Sequence, residues 1–436
     1  MPAYQLHIYE QQEEREALEQ RICEQVDTCT EIKGTIRNRV KKFLIEKGIT
    51  DISEIDVDLR IRYEAYLKRN ETVHAPITCL RGFDRIVIHR MKEEMRTLAG
   101  QRKYSTEYRD QWLCLTHYPK VEIAESFLAS KDGKELLWNF TLECPRNVKM
   151  QIFKVLKEVI HTYEGWMRKE KLLALQRFYQ FCVENQVADI ETMTLAEEQR
   201  FGHELSEHFT GKKKSTVFGI IRMSRKILFL QATEIHWKAN MWFLERFHFS
   251  KERMNPSKPV EWISFKEVTN LENQKILQKY SRYLFGITDL SISTIRIKLL
   301  ELRTFLVHFN GEEKPIYVME AKKIQAYLER IRNQDTREAT ANARIFMLLQ
   351  FYNFLIVRGY LKRIPFRYEY YLQKEINVHN DRSVPGKVYV EILSKLVYFP
   401  EHLRLMFLHL WCAGIRGSEV CTLTGGDYEE KNGTTG

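Results

Sequence analysis

The sequence contains few residues that interrupt helices, with only ten prolines and nineteen glycines in 436 residues. Proline removes a backbone donor and glycine raises the entropic cost of folding, so their scarcity predicts a mainly α-helical chain. The hydrophobic fraction of 44% excludes an intrinsically disordered protein. A chain of this length is expected to form roughly two to four domains.

The eight cysteines are scattered, and no two of them form a C-x-x-C pair. We therefore expect neither a disulfide framework nor a metal site. The sequence also lacks an apolar run of about eighteen residues, the length that a membrane-spanning helix needs. The N-terminal stretch MPAYQLHIYEQQEEREALEQ has no apolar core of a signal peptide. These absences predict a cytoplasmic protein with no membrane partner.

Positive charge is in excess, because the chain contains 68 basic and 58 acidic residues and has a net charge of +10. Such a balance favours an anionic partner, with nucleic acid ahead of a membrane surface.

Two distant segments share a pattern, K-L-L-x-L-x-x-F, at residues 171–178 and 298–305. Its apolar positions lie on one face of a helix. Each copy is followed by an I-x-x-[IM] step, Ile190 with Met193 and Ile316 with Met319, and the same step occurs near the start as Ile52 with Ile55. We interpret the chain as tandem helical bundles, although amphipathic helices also resemble one another by chance.

The bundles define the predicted domains. We expect an N-terminal helical domain at 1–100, an irregular or mixed connecting region at 101–164, a second helical bundle at 165–255 and a third at 290–372. The break Ser-Val-Pro-Gly at 383–386 predicts a different domain from 385 to 436, a stretch too short for an independent core.

Two basic clusters are candidates for contact with phosphates. The first lies in GKKKSTVFGIIRMSRK, and the second lies in RGYLKRIPFR. Helical spacing places Arg222, Arg225 and Lys226 on one face. A solvated helix face stays the alternative for both clusters, whose members are Lys212, Lys213, Lys214, Arg222, Arg225 and Lys226 in the first, and Arg358, Lys362, Arg363 and Arg367 in the second.

The last thirty residues, FLHLWCAGIRGSEVCTLTGGDYEEKNGTTG, contain the most motif-like stretch. An apolar helix with Leu405, Phe407, Leu408, Leu410 and Trp411 is expected to lie inside a domain. Gly414 and Gly417 then bracket Arg416, so the backbone can turn tightly and expose the arginine. Ser418 is a candidate N-cap for a short helix that carries Glu419.

The pattern G-[IL]-R-x-S-E-[LV]-x-x-L-x-x-x-D in this stretch resembles the first catalytic box of the tyrosine recombinases, also called phage integrases. The bundle at 290–372 is similar to the SAM-like core-binding domain of that family, and the long N-terminal part resembles that of transposon-borne integrases. Residues 385–436 would then be the first helices of an incomplete α/β-type catalytic domain. The matching residues are Gly414, Ile415, Arg416, Ser418, Glu419, Val420, Leu423 and Asp427.

The resemblance implies DNA integration or transposition by strand cleavage and rejoining through a 3′-phosphotyrosine, without a cofactor. Arg416 would clamp the scissile phosphate, because a guanidinium offers a rigid fork of donors that keeps its charge. Glu419 would support that arginine. The stretch DTREATANARIFMLLQFYNF resembles the DNA-facing helix of the family, with Arg337, Thr340, Asn342 and Arg344 as its polar positions.

The partner implied is double-stranded DNA, bound by a homo-multimer when the protein is full length. The remaining active-site residues of the family, including its tyrosine nucleophile, have no counterpart here, since Tyr360 and Tyr428 do not match its position. We therefore expect a truncated chain that does not cleave DNA. Two alternatives stay open, a non-catalytic helical DNA-binding regulator or recombinase remnant, and a helical-repeat scaffold for proteins.

Overall fold

The structure is a computed structural model that describes residues 3–70, 75–104, 107–208, 211–375, 383–424, 426, 430–431 and 434–435. These residues are mainly helical, which confirms the predicted mainly α fold. The chain divides into two compact units, Met1–Met193 with Glu197–Leu228 and Thr194–Ala196 with Phe229–Gly436. Within the described part of the chain, no helix combines the length and the apolar character needed to cross a membrane.

The first unit begins with repeat 1, residues 3–94. Its helices enclose a core that includes Val40, Phe43, Tyr63 and Phe83, all fully buried. The side chain of Asp56 caps the third helix by accepting the backbone N–H of Leu59 at 2.8 Å. The elements of repeat 1 are α1 (Ala3–Asp27), α2 (Gly34–Glu46), a 3₁₀ turn (Ile52–Glu54), α3 (Val57–Arg69) and α4 (Pro76–Glu94).

A connecting region and repeat 2, residues 146–231, follow. The connection contains a short antiparallel pair of strands in which Leu113 lies opposite Trp138. Its elements are α5 (Leu98–Lys103), β1 (Trp112–Cys114), a 3₁₀ turn (Leu115–His117), α6 (Val121–Phe127) and β2 (Leu137–Asn139). Repeat 2 consists of α7 (Arg146–Thr162), α8 (Gly165–Glu184), α9 (Leu195–His208), α10 (Gly211–Phe218) and α11 (Ile220–Gln231).

The second unit contains one repeat. A second antiparallel pair of strands, in which Trp242 lies opposite Ile263, precedes this repeat 3, residues 271–357. The connecting elements are β3 (Met241–Phe243), 3₁₀ turns (Leu244–Arg246 and Lys251–Arg253) and β4 (Trp262–Ser264). Repeat 3 consists of α12 (Leu271–Ile287), α13 (Ile292–His308), a 3₁₀ turn (Ile316–Val318), α14 (Ala321–Arg332) and α15 (Glu338–Val357).

The three repeats share a hydrogen bond at the I-x-x-[IM] step. In each, a side-chain amide oxygen on the first helix accepts the backbone N–H of the first isoleucine of the step. Gln25 accepts from Ile52 at 3.0 Å, Gln151 from Ile190 at 2.9 Å, and Asn273 from Ile316 at 2.7 Å. A buried N–H must find a partner, so one polar position on the first helix fixes the turn that leads into the third helix.

The repeats also share an aromatic pair between the second and third helices. The ring centroids are 4.9 Å apart for Phe43 and Tyr63, 5.4 Å for Phe178 and Phe201, and 5.0 Å for Phe305 and Tyr327. The third-helix ring stands at the same distance along the chain from the isoleucine of the step in every repeat. The bundles are therefore copies of one unit rather than three unrelated amphipathic arrangements.

The boundaries of the cores differ from the predicted ones. The core of repeat 2 already includes Val148 and Trp138, which lie in the expected connecting region 101–164. The core of repeat 3 includes Trp242 and Ile276, which precede the expected start at 290. Repeats 2 and 3 thus begin one helix earlier than the sequence pattern indicated, with a pair of short antiparallel strands in front of each.

The C-terminal segment, residues 383–424, has no buried side chain among its described residues, and Trp411 is 41% exposed. This short segment provides no core, so the apolar side chains that we expected inside a domain are exposed or half-buried here, and that expectation stays a prediction. They are Leu405, Phe407, Leu408, Leu410 and Trp411. Its elements are α16 (Gly386–Lys395), a 3₁₀ turn (Leu396–Tyr398), α17 (Glu401–Ala413) and α18 (Gly417–Val420). A 3₁₀ turn (Tyr368–Tyr371) precedes the segment, and the paired strands β5 (Glu430–Lys431) and β6 (Thr434–Thr435) follow it.

Candidate nucleic-acid interface

Arg416 stands at the turn between α17 and α18. Gly414 ends α17 with φ of 63°, a left-handed conformation that glycine adopts without strain. The turn leaves the Arg416 side chain 85% exposed. This exposure is what contact with a phosphate requires.

Glu419 is the nearest partner of Arg416. Its carboxylate accepts the backbone N–H of Arg416 at 2.6 Å and lies 3.6 Å from the Arg416 guanidinium. Glu419 therefore fixes the start of α18 and lies beside the arginine. Asp427 and the side chain of Ser418 lie outside the described residues.

Arg225, in the first basic cluster, is only 2% exposed, so the expectation that it faces DNA is wrong. Its guanidinium forms a buried ion pair with Glu198. It also donates to the backbone oxygens of Ile190 at 2.9 Å and Met193 at 2.8 Å. Arg90 in repeat 1 donates to the corresponding oxygens of Ile52 and Ile55. Arg225 is thus held inward by turn carbonyls that need donors.

The other members of the first cluster lie nearer the surface. Arg222 is exposed and Lys226 is half-buried on α11. The ammonium group of Lys214 donates to the hydroxyl of Ser206 at 2.5 Å. The side chains of Lys212 and Lys213, in the first turn of α10, lie outside the described residues.

The N-terminal half of α15 carries the polar positions that resembled a DNA-facing helix. Arg337 and Thr340 are exposed there. Arg344 is half-buried, with its guanidinium 3.3 Å from the Glu301 carboxylate. Asn342 is 6% exposed, and its amide holds Gln373 by donating to the backbone oxygen and accepting the backbone N–H, both at 2.9 Å. The expectation that Asn342 contacts DNA is therefore wrong, because its amide fastens the chain that follows α15.

The second basic cluster follows the other end of α15. Arg358 is exposed and lies over the Phe354 ring, 5.6 Å from its centroid. Lys362 and Arg363 are exposed beyond it, and the guanidinium of Arg367 donates to the Tyr370 hydroxyl at 3.5 Å. A helix of the length of α15 is about 30 Å long, so the two groups of cations in this unit are separated by nearly a turn of B-DNA.

Sequence reasoning missed a further pair of exposed cations, Arg330 and Arg332, in the last turn of α14. Because they alternate with apolar core residues, the sequence pattern indicated only the solvated side of an amphipathic helix. The sequence signal that could have identified them is their position shortly before Arg337, at the turn between α14 and α15.

A buried polar cluster in the first unit brings Asp84, Cys114 and His117 together, with ligand atoms within 4.8 Å of one another. Arg60 donates to both Asp84 oxygens, at 2.7 and 3.1 Å, and His117 lies 3.1 Å from the same carboxylate. Burial raises the pKa of the Cys114 thiol to about 11. The carboxylate is thus already neutralised by Arg60 and the thiol is protonated, which favours a structural network over a metal site.

The two titrating groups of this network have displaced pKa values. Burial lowers the pKa of His117, and hydrogen bonding to Asp84 offsets only part of that effect. Burial alone would raise the pKa of Asp84, but Arg60 and the hydrogen bond from His117 outweigh it and hold the pKa below its usual value.

Both displacements predict that the first unit loses stability in acid. A group whose folded pKa is depressed takes up its proton more readily in the unfolded chain, so stability falls as pH drops below about 6.5 for His117 and below about 4 for Asp84. Each unit of difference in pKa is worth about 1.4 kcal/mol. Urea titrations at pH 7.5 and 5.5 measure the effect. The variant His117→Gln should show a flatter dependence over that interval, and an unchanged slope would contradict the assignment.

Comparison with known proteins gives distant relatives. Transposase B from transposon Tn554 of Staphylococcus aureus (strain Mu50 / ATCC 700699) is 23% identical over 201 residues. The chain is similar to a transposase over that stretch. The stretch is 45% of this chain and 32% of the relative, so about a third of the relative's length is matched. Transposase B from transposon PsiTn554 of Staphylococcus aureus is 24% identical over 202 residues, with the same shares. No family model and no solved structure matches the chain.

Proposed function

We propose that this chain is a DNA-binding part of a transposase of the tyrosine-recombinase type. The observation that carries the proposal is the likeness to Transposase B over 201 residues. The exposed Arg416 at a glycine turn supports it, since Gly414, Arg416 and Glu419 take positions in the motif of that family.

The chemistry assigned to Arg416 follows from its charge and exposure. A phosphodiester under attack gathers negative charge on its nonbridging oxygens, and a guanidinium can donate to two of them at once. Glu419, 3.6 Å away, restricts where the guanidinium lies before DNA arrives. Arg416 would therefore hold the scissile phosphate and Glu419 would support it. The nucleophile that completes such a reaction is not assigned to any residue of this chain.

The contact with DNA is assigned to exposed or half-buried cations of the two units. Arg222 and Lys214 serve in the first unit, and Arg337, Arg358 and Lys362 in the second. Such contacts neutralise phosphates and release counterions, so they give affinity without reading the base sequence.

Salt dependence tests this function. If six or more phosphates are neutralised, the affinity for duplex DNA should fall by about 10³-fold or more between 50 and 200 mM salt. Fluorescence anisotropy with a labelled random-sequence duplex measures it. Binding that is absent, or that does not change with salt, would exclude the DNA-binding function and leave a protein-binding scaffold.

A second candidate, a non-catalytic DNA-binding regulator, is favoured by the lack of buried side chains in the described residues 383–424. An arginine on a segment without a core is not preorganised for catalysis. The variant Arg416→Ala separates the two functions. If the chain is part of a transposase, this variant should bind DNA more weakly than the wild type. If the chain is a regulator, the affinity for DNA should be unchanged.

A further inference from the structure

The repeats allow positions in one copy to be transferred to another. The third helix of each repeat begins at the same distance along the chain after the isoleucine of the I-x-x-[IM] step, at Val57, Leu195 and Ala321. The aromatic residue and the last buried aliphatic residue of that helix then coincide as well. These aliphatic residues are Leu67, Leu205 and Ile331.

Cations lie in the last turn of the third helix in repeats 1 and 3, and in repeat 2 they lie at the start of the helix that follows. In repeat 3 the last turn of α14 carries Arg330 and Arg332. In repeat 2 the run Lys212–Lys214 lies in the first turn of α10, which follows the third helix. In repeat 1 the last turn of α3 carries Lys68 and Arg69, both exposed.

No role in the proposed function has been given to Lys68 and Arg69, and neither belongs to the two basic clusters. Lys68 makes an exposed ion pair with Glu64 at 2.7 Å. A pair of this kind contributes little to stability and is readily exchanged for a phosphate.

We propose that repeat 1 is a third DNA-binding module, which contacts the phosphates of duplex DNA through Lys68 and Arg69 at the turn that repeats 2 and 3 also present. The inference rests on the proposed function, because it extends that DNA contact to a part of the chain with no assigned role. Two additional phosphates are neutralised by this module.

The test compares two double variants of the full chain. Lys68→Gln with Arg69→Gln removes two charges from the turn. Lys42→Gln with Lys47→Gln removes two exposed charges from the same repeat. Lys42 is a matched control because it is also paired with a carboxylate four residues away, at 3.9 Å from Glu46. Lys47 is an exposed cation at the C-terminal end of α2, outside the tested turn.

The readout is the slope of log affinity against log salt concentration for a random-sequence duplex. Each lost phosphate contact makes this slope shallower by about 0.9, so the turn variant should lose about 1.8 while the control keeps the wild-type slope. Thermal melting accompanies the assay, since cations in the last turn also stabilise a helix through its dipole. The salt slopes of the two variants are compared under conditions in which both are folded and have the same helical content.

The outcomes separate the two proposals. A wild-type chain that does not bind DNA overturns the proposed function and this inference together. A wild-type chain that binds with salt dependence, but whose slope is unchanged in the turn variant, overturns the inference alone. Equal losses in the turn and control variants also overturn it, because they would indicate a general effect of net charge.

Discussion

Replacing Arg225 by methionine is expected to lower the free energy of unfolding by about 3–5 kcal/mol. The change leaves the buried Glu198 carboxylate without its cation and removes the donors to Ile190 and Met193. Urea denaturation followed by circular dichroism measures the loss. The matched control is Arg222→Met on the same helix, where the side chain is exposed and the change should remain within about 0.5 kcal/mol.

A double variant sharpens this test. Arg225→Met combined with Glu198→Leu removes both buried charges, so part of the lost stability should return. Recovery is incomplete, because the two turn carbonyls still lack their donors. If Arg225→Met melted like the wild type and weakened DNA binding instead, the arginine would have to lie at the surface.

Replacing Phe201 by alanine is expected to destabilise the first unit by about 3–5 kcal/mol. Its ring is fully buried and lies 5.4 Å from Phe178 and 5.0 Å from Phe181, so truncation leaves a cavity between the second and third helices of repeat 2. Chemical denaturation gives the magnitude. The loss should occur without a change in the salt dependence of DNA binding, because the ring faces the core.

The equivalent position in repeat 1 provides a control. Tyr63→Phe keeps the aromatic ring and removes a buried hydroxyl that has no hydrogen-bond partner among the described residues. We expect the free energy of unfolding to stay within about 0.5 kcal/mol or to increase. A large loss for Tyr63→Phe would show that the hydroxyl, and not the ring, is what the repeat preserves.

The helices and their repetition could be predicted from the sequence, because both rest on local periodicity. The K-L-L-x-L-x-x-F pattern placed Phe178 and Phe305 on helices, and in the structure each meets a ring of the next helix. The two antiparallel pairs of short strands could not be predicted. Their strands are three residues long, too short to show alternation, and they are fixed by Trp138 and Trp242 in the cores.

The burial of Arg225 could not be predicted from helical spacing alone. Adjacent residues of a helix point about 100° apart, so Arg225 and Lys226 can lie on opposite sides of the boundary between core and surface. What decides between them is the need of two turn carbonyls for donors, and these lie far away in the sequence. The same reason turned Asn342 inward, where its partner Gln373 follows a different element.

The exposure of Arg416 followed from its neighbouring glycines and could be predicted locally. The exposure of Trp411 could not, since burial depends on what the rest of the chain packs against it. Local geometry therefore sets how a candidate phosphate ligand is presented, whereas the environment around it is a property of tertiary structure.

The hydrogen bond that fixes each I-x-x-[IM] step has a consequence for how the chain is made. It joins residues separated by 27 positions in repeat 1, 39 in repeat 2 and 43 in repeat 3. Each of these bonds lies within a single repeat, so its formation requires no residue of another copy. During synthesis, repeat 1 can complete its turn while repeat 3 has not yet left the ribosome. The protein can thus acquire its native structure one copy at a time, from the N-terminus onward.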